Sequence, residues 1–158
     1  MKVKNKFALK GTPKIELVYP DGTRITHWED TNLIVLTAKQ ALLSMLYLVS
    51  QTSDPVSTLW VGTGGTIDPQ GQFPKPVPQS TTSLFTPLVS VPTSYTVDNT
   101  MPSVTFIADI DQGTANGSLI TEAGLFKASA LMFNIKTFPG IPKTSEFSIH
   151  FSWTIEMA

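Results

Sequence analysis

The sequence predicts a mainly β protein: an antiparallel β-sandwich, immunoglobulin-like or jelly-roll-like, with one short α-helix and a long proline-rich loop. Three observations lead there. Phe147, Ile149, Phe151, Trp153 and Ile155 alternate without a break with Ser148, His150, Ser152, Thr154 and Glu156, the two-residue period of a strand with one buried face. Val104, Phe106, Ala108 and Ile110 repeat that pattern against Ser103, Thr105 and Asp109. Short apolar runs bounded by turn residues recur along the chain, and only one stretch carries a helical period. Five large apolar residues on one strand face need a second layer about 10 Å away, which two packed sheets supply.

Element by element, Lys14 to Trp28 reads as a hairpin. Ile15, Leu17 and Tyr19 lead into Pro20-Asp21-Gly22, and Arg24 to Trp28 returns. Proline presets φ in such a turn and glycine accepts a positive one. Leu33 to Leu36 is a short apolar run ahead of the helix. There Thr37 is the expected N-cap, with Gln40 three residues on. Leu42, Met45, Leu46 and Val49 form its apolar face. Leu59-Trp60-Val61 is a short strand before Gly62-Thr63-Gly64-Gly65. Residues 66–82 form an extended arm inside a single domain spanning residues 1–158. Its prolines Pro69, Pro74, Pro76 and Pro78 disfavour helix and sheet interior alike. Two readings of the arm stand: a contact arm ordered against a partner, or a mobile loop. Downstream, Ala115-Asn116-Gly117 is a turn signal, Leu119 to Phe126 and Leu131 to Phe138 are strands, and Pro139-Gly140-Ile141-Pro142 is expected to turn the chain.

Apolar residues make up 41% of the 158 residues and charged residues only 15%, against a usual ~25%. Uncharged hydroxyls and amides cost less to desolvate than charges, so this composition favours burial in an assembly. The net charge of −1 argues against nucleic acid as a partner. The basic stretch Lys2, Lys4, Lys6, Lys10 and Lys14 reads as a solvated strand face or tail. The absence of cysteine removes disulfides, thiolate metal sites and cysteine nucleophiles. The run Ala41 to Val49 is too short to span a bilayer, and the basic N-terminus lacks the apolar core of a signal peptide. Synthesis in the cytoplasm is expected, with no membrane partner.

Sequence motifs for chemistry are sparse. The glycine cluster at Gly62 to Gly65 lacks the Gly-Lys-Ser/Thr ending of a phosphate loop. It reads as a turn where another backbone comes close. His27 and His150 lie in separate strands without metal-ligand spacing, and Asp109 and Asp111 lack the ligand register of a calcium loop. No Gly-x-Ser-x-Gly or Ser-x-x-Lys pattern occurs. Glu122 sits in an otherwise apolar strand and would need a second carboxylate to hydrolyse a glycoside. The simpler expectation is a buried Glu122 meeting a backbone N–H, a hydroxyl, or a base such as Lys143 or Arg24. Gly124 would then admit a close neighbour. No catalytic residue, cofactor, metal or small-molecule substrate is expected.

The segment Asn116-Gly117-Ser118-Leu119-Ile120-Thr121-Glu122-Ala123-Gly124-Leu125-Phe126 resembles a pattern in small structural proteins of tailed phages, in which a turn leads into an Ile-x-Glu-Ala-Gly-Leu-Phe strand. Met132, Phe133 and Phe138, then Ile141, Pro142 and Lys143, and a closing strand around Trp153 extend the likeness. Trp60-Val61-Gly62-Thr63-Gly64 is similar to the family's apolar-Gly-Thr-Gly turn. Such proteins often place Asp or Gly between the two strands, where this chain has Lys127-Ala128-Ser129-Ala130. The resemblance implies an oligomeric virion subunit of the neck (collar), baseplate or tail-fibre attachment, made in the host cytoplasm. Its partners would be copies of itself and other virion proteins. Glu122, Gly124, Phe126 and the four arm prolines would serve structure and interface. A carbohydrate- or receptor-binding module of a tail fibre is the alternative, with Trp28, Trp60 or Tyr95 as a stacking platform.

Overall fold

The computed structural model describes residues 8–44, 53–98, 100 and 102–157. In chain order the elements are β1 (Leu9–Val18), β2 (Arg24–Glu29), β3 (Leu33–Ile34), α1 (Leu36–Ser44), β4 (Val56–Gly62), β5 (Pro87–Pro92), β6 (Ser94–Asp98), β7 (Ser103–Ile110), β8 (Leu119–Lys127), β9 (Met132–Pro142) and β10 (Ser148–Met157). Sheet A runs β2-β1-β10-β7-β6 and sheet B runs β3-β9-β8-β4-β5. All the pairings are antiparallel. The fold is therefore the expected β-sandwich with one short helix.

The alternating pattern of the last strand builds the core. Phe147, Ile149, Phe151, Trp153 and Ile155 are all buried. Ile149, Phe151, Trp153 and Ile155 stand opposite Ile110, Ala108, Phe106 and Val104 of β7. Sheet B answers with Phe138, whose ring lies 6.5 Å from that of Phe151 and 6.1 Å from that of Trp28. Burying each such aromatic removes 150–250 Å² or so from water. The first hairpin turns where expected, with Gly22 at φ 87°.

Four expectations need correction. Val35, not Thr37, stands at the N-cap position just before α1: its carbonyl accepts from Ala38 and Lys39 N–H, while Leu36 N–H bonds Gln79 O. Thr37 is thus inside the first turn, because the chain enters the helix directly from β3. Met45, Leu46 and Val49 lie outside the described residues. Pro139-Gly140-Ile141-Pro142 continues β9 instead of turning. The register jumps there from Glu122↔Thr137 to Ile120↔Ile141, so the proline falls in a bulge where its missing N–H breaks no ladder bond. Strands β5 and β6, joined through Thr93 alone, were not foreseen.

The fourth correction concerns the arm. It is neither a free arm nor a loose loop but a strap on its own domain. Lys75 N–H donates to Gly65 O and Gly140 N–H to Gly71 O, both at 2.7 Å. Thr137 Oγ1 donates to Lys75 O at 2.6 Å. Asp68 accepts from Gln72 and Phe73 N–H, which closes a turn at the arm's start. Pro69, Pro74, Pro76 and Pro78 are exposed, so the missing N–H groups face water and cost nothing.

Candidate functional site

Bulge phase decides which way β8 presents its motif. Ala123 stands opposite Lys136, on the face of β9 that carries Phe138 into the core. Glu122, Gly124 and Phe126 therefore point to the far side of sheet B. There Gly124 pairs with Trp60 and Phe126 with Thr58. The chain that covers this face is the segment between β4 and β5.

Glu122 is wholly buried. Its Oε1 accepts from Gly64 N–H at 3.0 Å and Thr86 N–H at 2.7 Å, and its Oε2 accepts from Phe85 N–H at 2.8 Å. Next to it Thr121 Oγ1 accepts from Gly65 N–H at 2.8 Å. One carboxylate thus pins both ends of the 63–86 excursion to the sheet. Charge-assisted bonds from three amides satisfy an anion that would otherwise cost several kcal/mol to bury. The glycine cluster exists for this contact. A Cβ on Gly64 would fall 2.6 Å from Thr86 Oγ1 and 2.7 Å from Phe85 Cβ, and Gly62 and Gly65 are tighter still. Gly124 is similarly closed, with Asn134 O 2.7 Å and Leu84 Cδ2 3.2 Å from its would-be Cβ. Phe126 completes the face by tilting against Trp60, centroids 5.9 Å apart.

The bases suggested for Glu122 go elsewhere. Arg24 pairs with Glu16 at 3.0 Å. Lys143 is buried against the loop after β7, where Nζ donates to Thr144 O at 2.7 Å, Asn116 Oδ1 at 3.0 Å and Gln112 O at 3.3 Å. Burial pushes its ammonium below the usual lysine range, opposed by the nearby Asp111 carboxylate. Nothing in the spacing marks Lys143, because its ligands are carbonyls that any sequence could supply. Among the described residues no cluster of His, Cys, Asp or Glu could hold a metal. His27 meets Pro139 O and His150 meets Asp109, each at 2.8 Å.

Among the described residues, two concave surfaces stand out. A groove of about 420 Å³ runs between Trp28, Lys136 and the strap at Pro74 to Val77. Its Lys136 is already held by Asp30 and Thr31 O. A cleft of about 460 Å³ opens at one end of the sandwich, walled by Leu9, Val56, Val97, Phe106, Phe133 and Met157. The aromatics considered as a stacking platform do not come together: Trp28 and Tyr95 sit on opposite edge strands of sheet A, and Trp60 is on sheet B. No family model, curated protein or solved structure matches the chain.

Proposed function

We propose that the chain is a structural subunit of a tailed-phage virion, an oligomeric neck or collar, tail or baseplate component that acts through protein–protein contacts. The observation that carries this reading is where the molecule spends its polar and its apolar groups. The motif carboxylate Glu122 is consumed inside, with both oxygens on backbone amides. Large apolar side chains instead reach solvent around the terminal cleft: Tyr95 is 66% exposed, Val97 57% and Met157 51%. With few charges to desolvate, such a surface suits the large interfaces of permanent assemblies, commonly beyond ~2,000 Å². The resemblance of the Ile120 to Phe126 segment to phage structural proteins names the kind of assembly. Native mass spectrometry of the purified chain tests the reading. A discrete closed oligomer is the expected result, and a monomer at every concentration overturns it.

A further inference from the structure

Four strands form the edges of the two sheets, and three of them are blunted. β2 carries Arg24 and Glu29 at its ends, and its ladder with β1 is broken by a register shift. β3 is two residues long. β5 begins and ends in proline and is bulged against β4. These are the devices by which β proteins discourage further pairing. β6, Ser94-Tyr95-Thr96-Val97-Asp98, is the least blunted of the four. It contains no proline, keeps unbroken register with β7, is exposed throughout and bears its one charge at its last residue. Among the described residues only β7 pairs with it.

We propose that β6 is a self-pairing edge: a second copy of this chain adds antiparallel about a two-fold axis at Thr96, joining two copies of sheet A into one ten-stranded sheet. This deepens the assembly reading above and rests on it. Three arguments select a second copy as the occupant. The first is parity. In an antiparallel edge, alternate residues aim both backbone groups outward. Rotation about Thr96 brings Tyr95 onto Val97 and Ser94 onto Asp98. Either alternate set, Tyr95 and Val97 or Ser94, Thr96 and Asp98, therefore meets its own kind.

The second argument is side-chain matching. Tyr95 and Val97 stand opposite Phe106 and Val104, on the side of sheet A that faces the core. Two-fold pairing sets Tyr95 against Val97 of the other copy twice, an aromatic–β-branched match of the stabilising kind. It also joins the apolar walls of two clefts. The third argument is charge. Asp98 meets a serine, the two aspartates stand roughly 13 Å apart at ~3.4 Å per residue, and a net charge of −1 per copy opposes association little.

Charge-swapped variants of the full chain test this by native mass and sedimentation. Thr96 is exposed, so Thr96→Lys and Thr96→Glu should each leave the fold of the single chain intact, read as an unchanged circular-dichroism spectrum, while any fall in thermal midpoint tracks the lost association. Each sets like charges face to face on the axis and should weaken self-association by roughly a hundredfold. Mixing the two variants should restore it. The chain has no cysteine, so Thr96→Cys should form one specific disulfide-linked dimer under mild oxidation, its Cα separation fitting the ~4.4–6.8 Å range. Wild-type oligomers of even copy number that both charges disrupt and the mixture rescues support the proposal. Oligomers indifferent to both charges, or of odd copy number, overturn it while leaving the assembly reading intact. A wild type that is monomeric throughout overturns both.

Discussion

Glu122 and Lys143 are two buried ions of opposite sign, and neither is paired with the other. The carboxylate is held by three amide N–H groups from residues 64, 85 and 86. The ammonium is held by two main-chain carbonyls and one side-chain amide oxygen. Each anchors a loop to the sandwich by neutralising itself with that loop's own dipoles. The cages are not equivalent once the ion is gone. An N–H has one use and is rarely left unsatisfied when buried, whereas a carbonyl oxygen tolerates it more readily. The anion's site is therefore the more brittle of the two.

The largest expected effect breaks the anion cage. Glu122→Leu sets the N–H groups of Gly64, Phe85 and Thr86 against an apolar side chain and should cost about 3–5 kcal/mol, seen as loss of a cooperative denaturant transition or a large drop in its midpoint. Glu122→Gln keeps one acceptor but turns an NH₂ toward amide donors, and should cost less, about 2–4 kcal/mol. A Gln variant as stable as wild type would refute the cage. On the cation side, Lys143→Met keeps the stem and removes the charge, and should cost only about 1–2 kcal/mol. Its local signature should be faster hydrogen exchange at Gly117, whose N–H donates to Lys143 O. Equal losses at both sites would show that the two cages are equally brittle.

Smaller effects sharpen the same comparison. Ala115, in the loop caged by Lys143, and Ala130, in the β8–β9 turn, hold φ 62° and 64°. A left-handed alanine costs roughly 1–2 kcal/mol, so Ala130→Gly should raise stability by up to about 1 kcal/mol in a denaturant melt. The smallest effect belongs to an ion near the surface. Asp54 is held down to about 2 from the ordinary 3.8 by the Lys127 ammonium and by Ser129. A depressed carboxyl contributes stability above pH ~4 that is lost as pH falls toward ~2. Screening by water keeps it to ~1 kcal/mol or less. Asp54→Asn should therefore lower the midpoint slightly at pH 7 and not at pH 2.

What the sequence made legible depended on how many residues carried each signal. The β10 alternation involved five large side chains, and its burial followed. Glu122 stood out because a carboxylate inside Leu119 to Phe126 demands a partner, and a backbone N–H was among those foreseen. Which amides it takes was not legible, since Gly64, Phe85 and Thr86 contribute their backbones and not their side chains. The same reason hid Lys143. Strands β5 and β6 were not legible because prolines at 87 and 92 bracket the short apolar run Leu88-Val89-Ser90-Val91, and Thr93, Ser94 and Thr96 dilute the apolar signal after it. Pro139 misled in the opposite direction, because a bulge admits proline within a strand. The strap's prolines announced an extended segment but not its course, which is set by single backbone bonds at Gly71 and Lys75.

The position of β10 bears on how the molecule comes into being. It lies between β1 and β7, so the centre of sheet A joins Leu9–Val18 to Ser148–Met157, nearly the whole described chain apart. On a ribosome, β1 and β7 emerge with their apolar faces uncovered and wait for the strand that separates them. Such long-range closure places folding in the millisecond-to-second range. For that interval the nascent chain presents open sheet edges, and the blunted strands β2, β3 and β5 are then protection for the unfinished molecule as much as for the finished one.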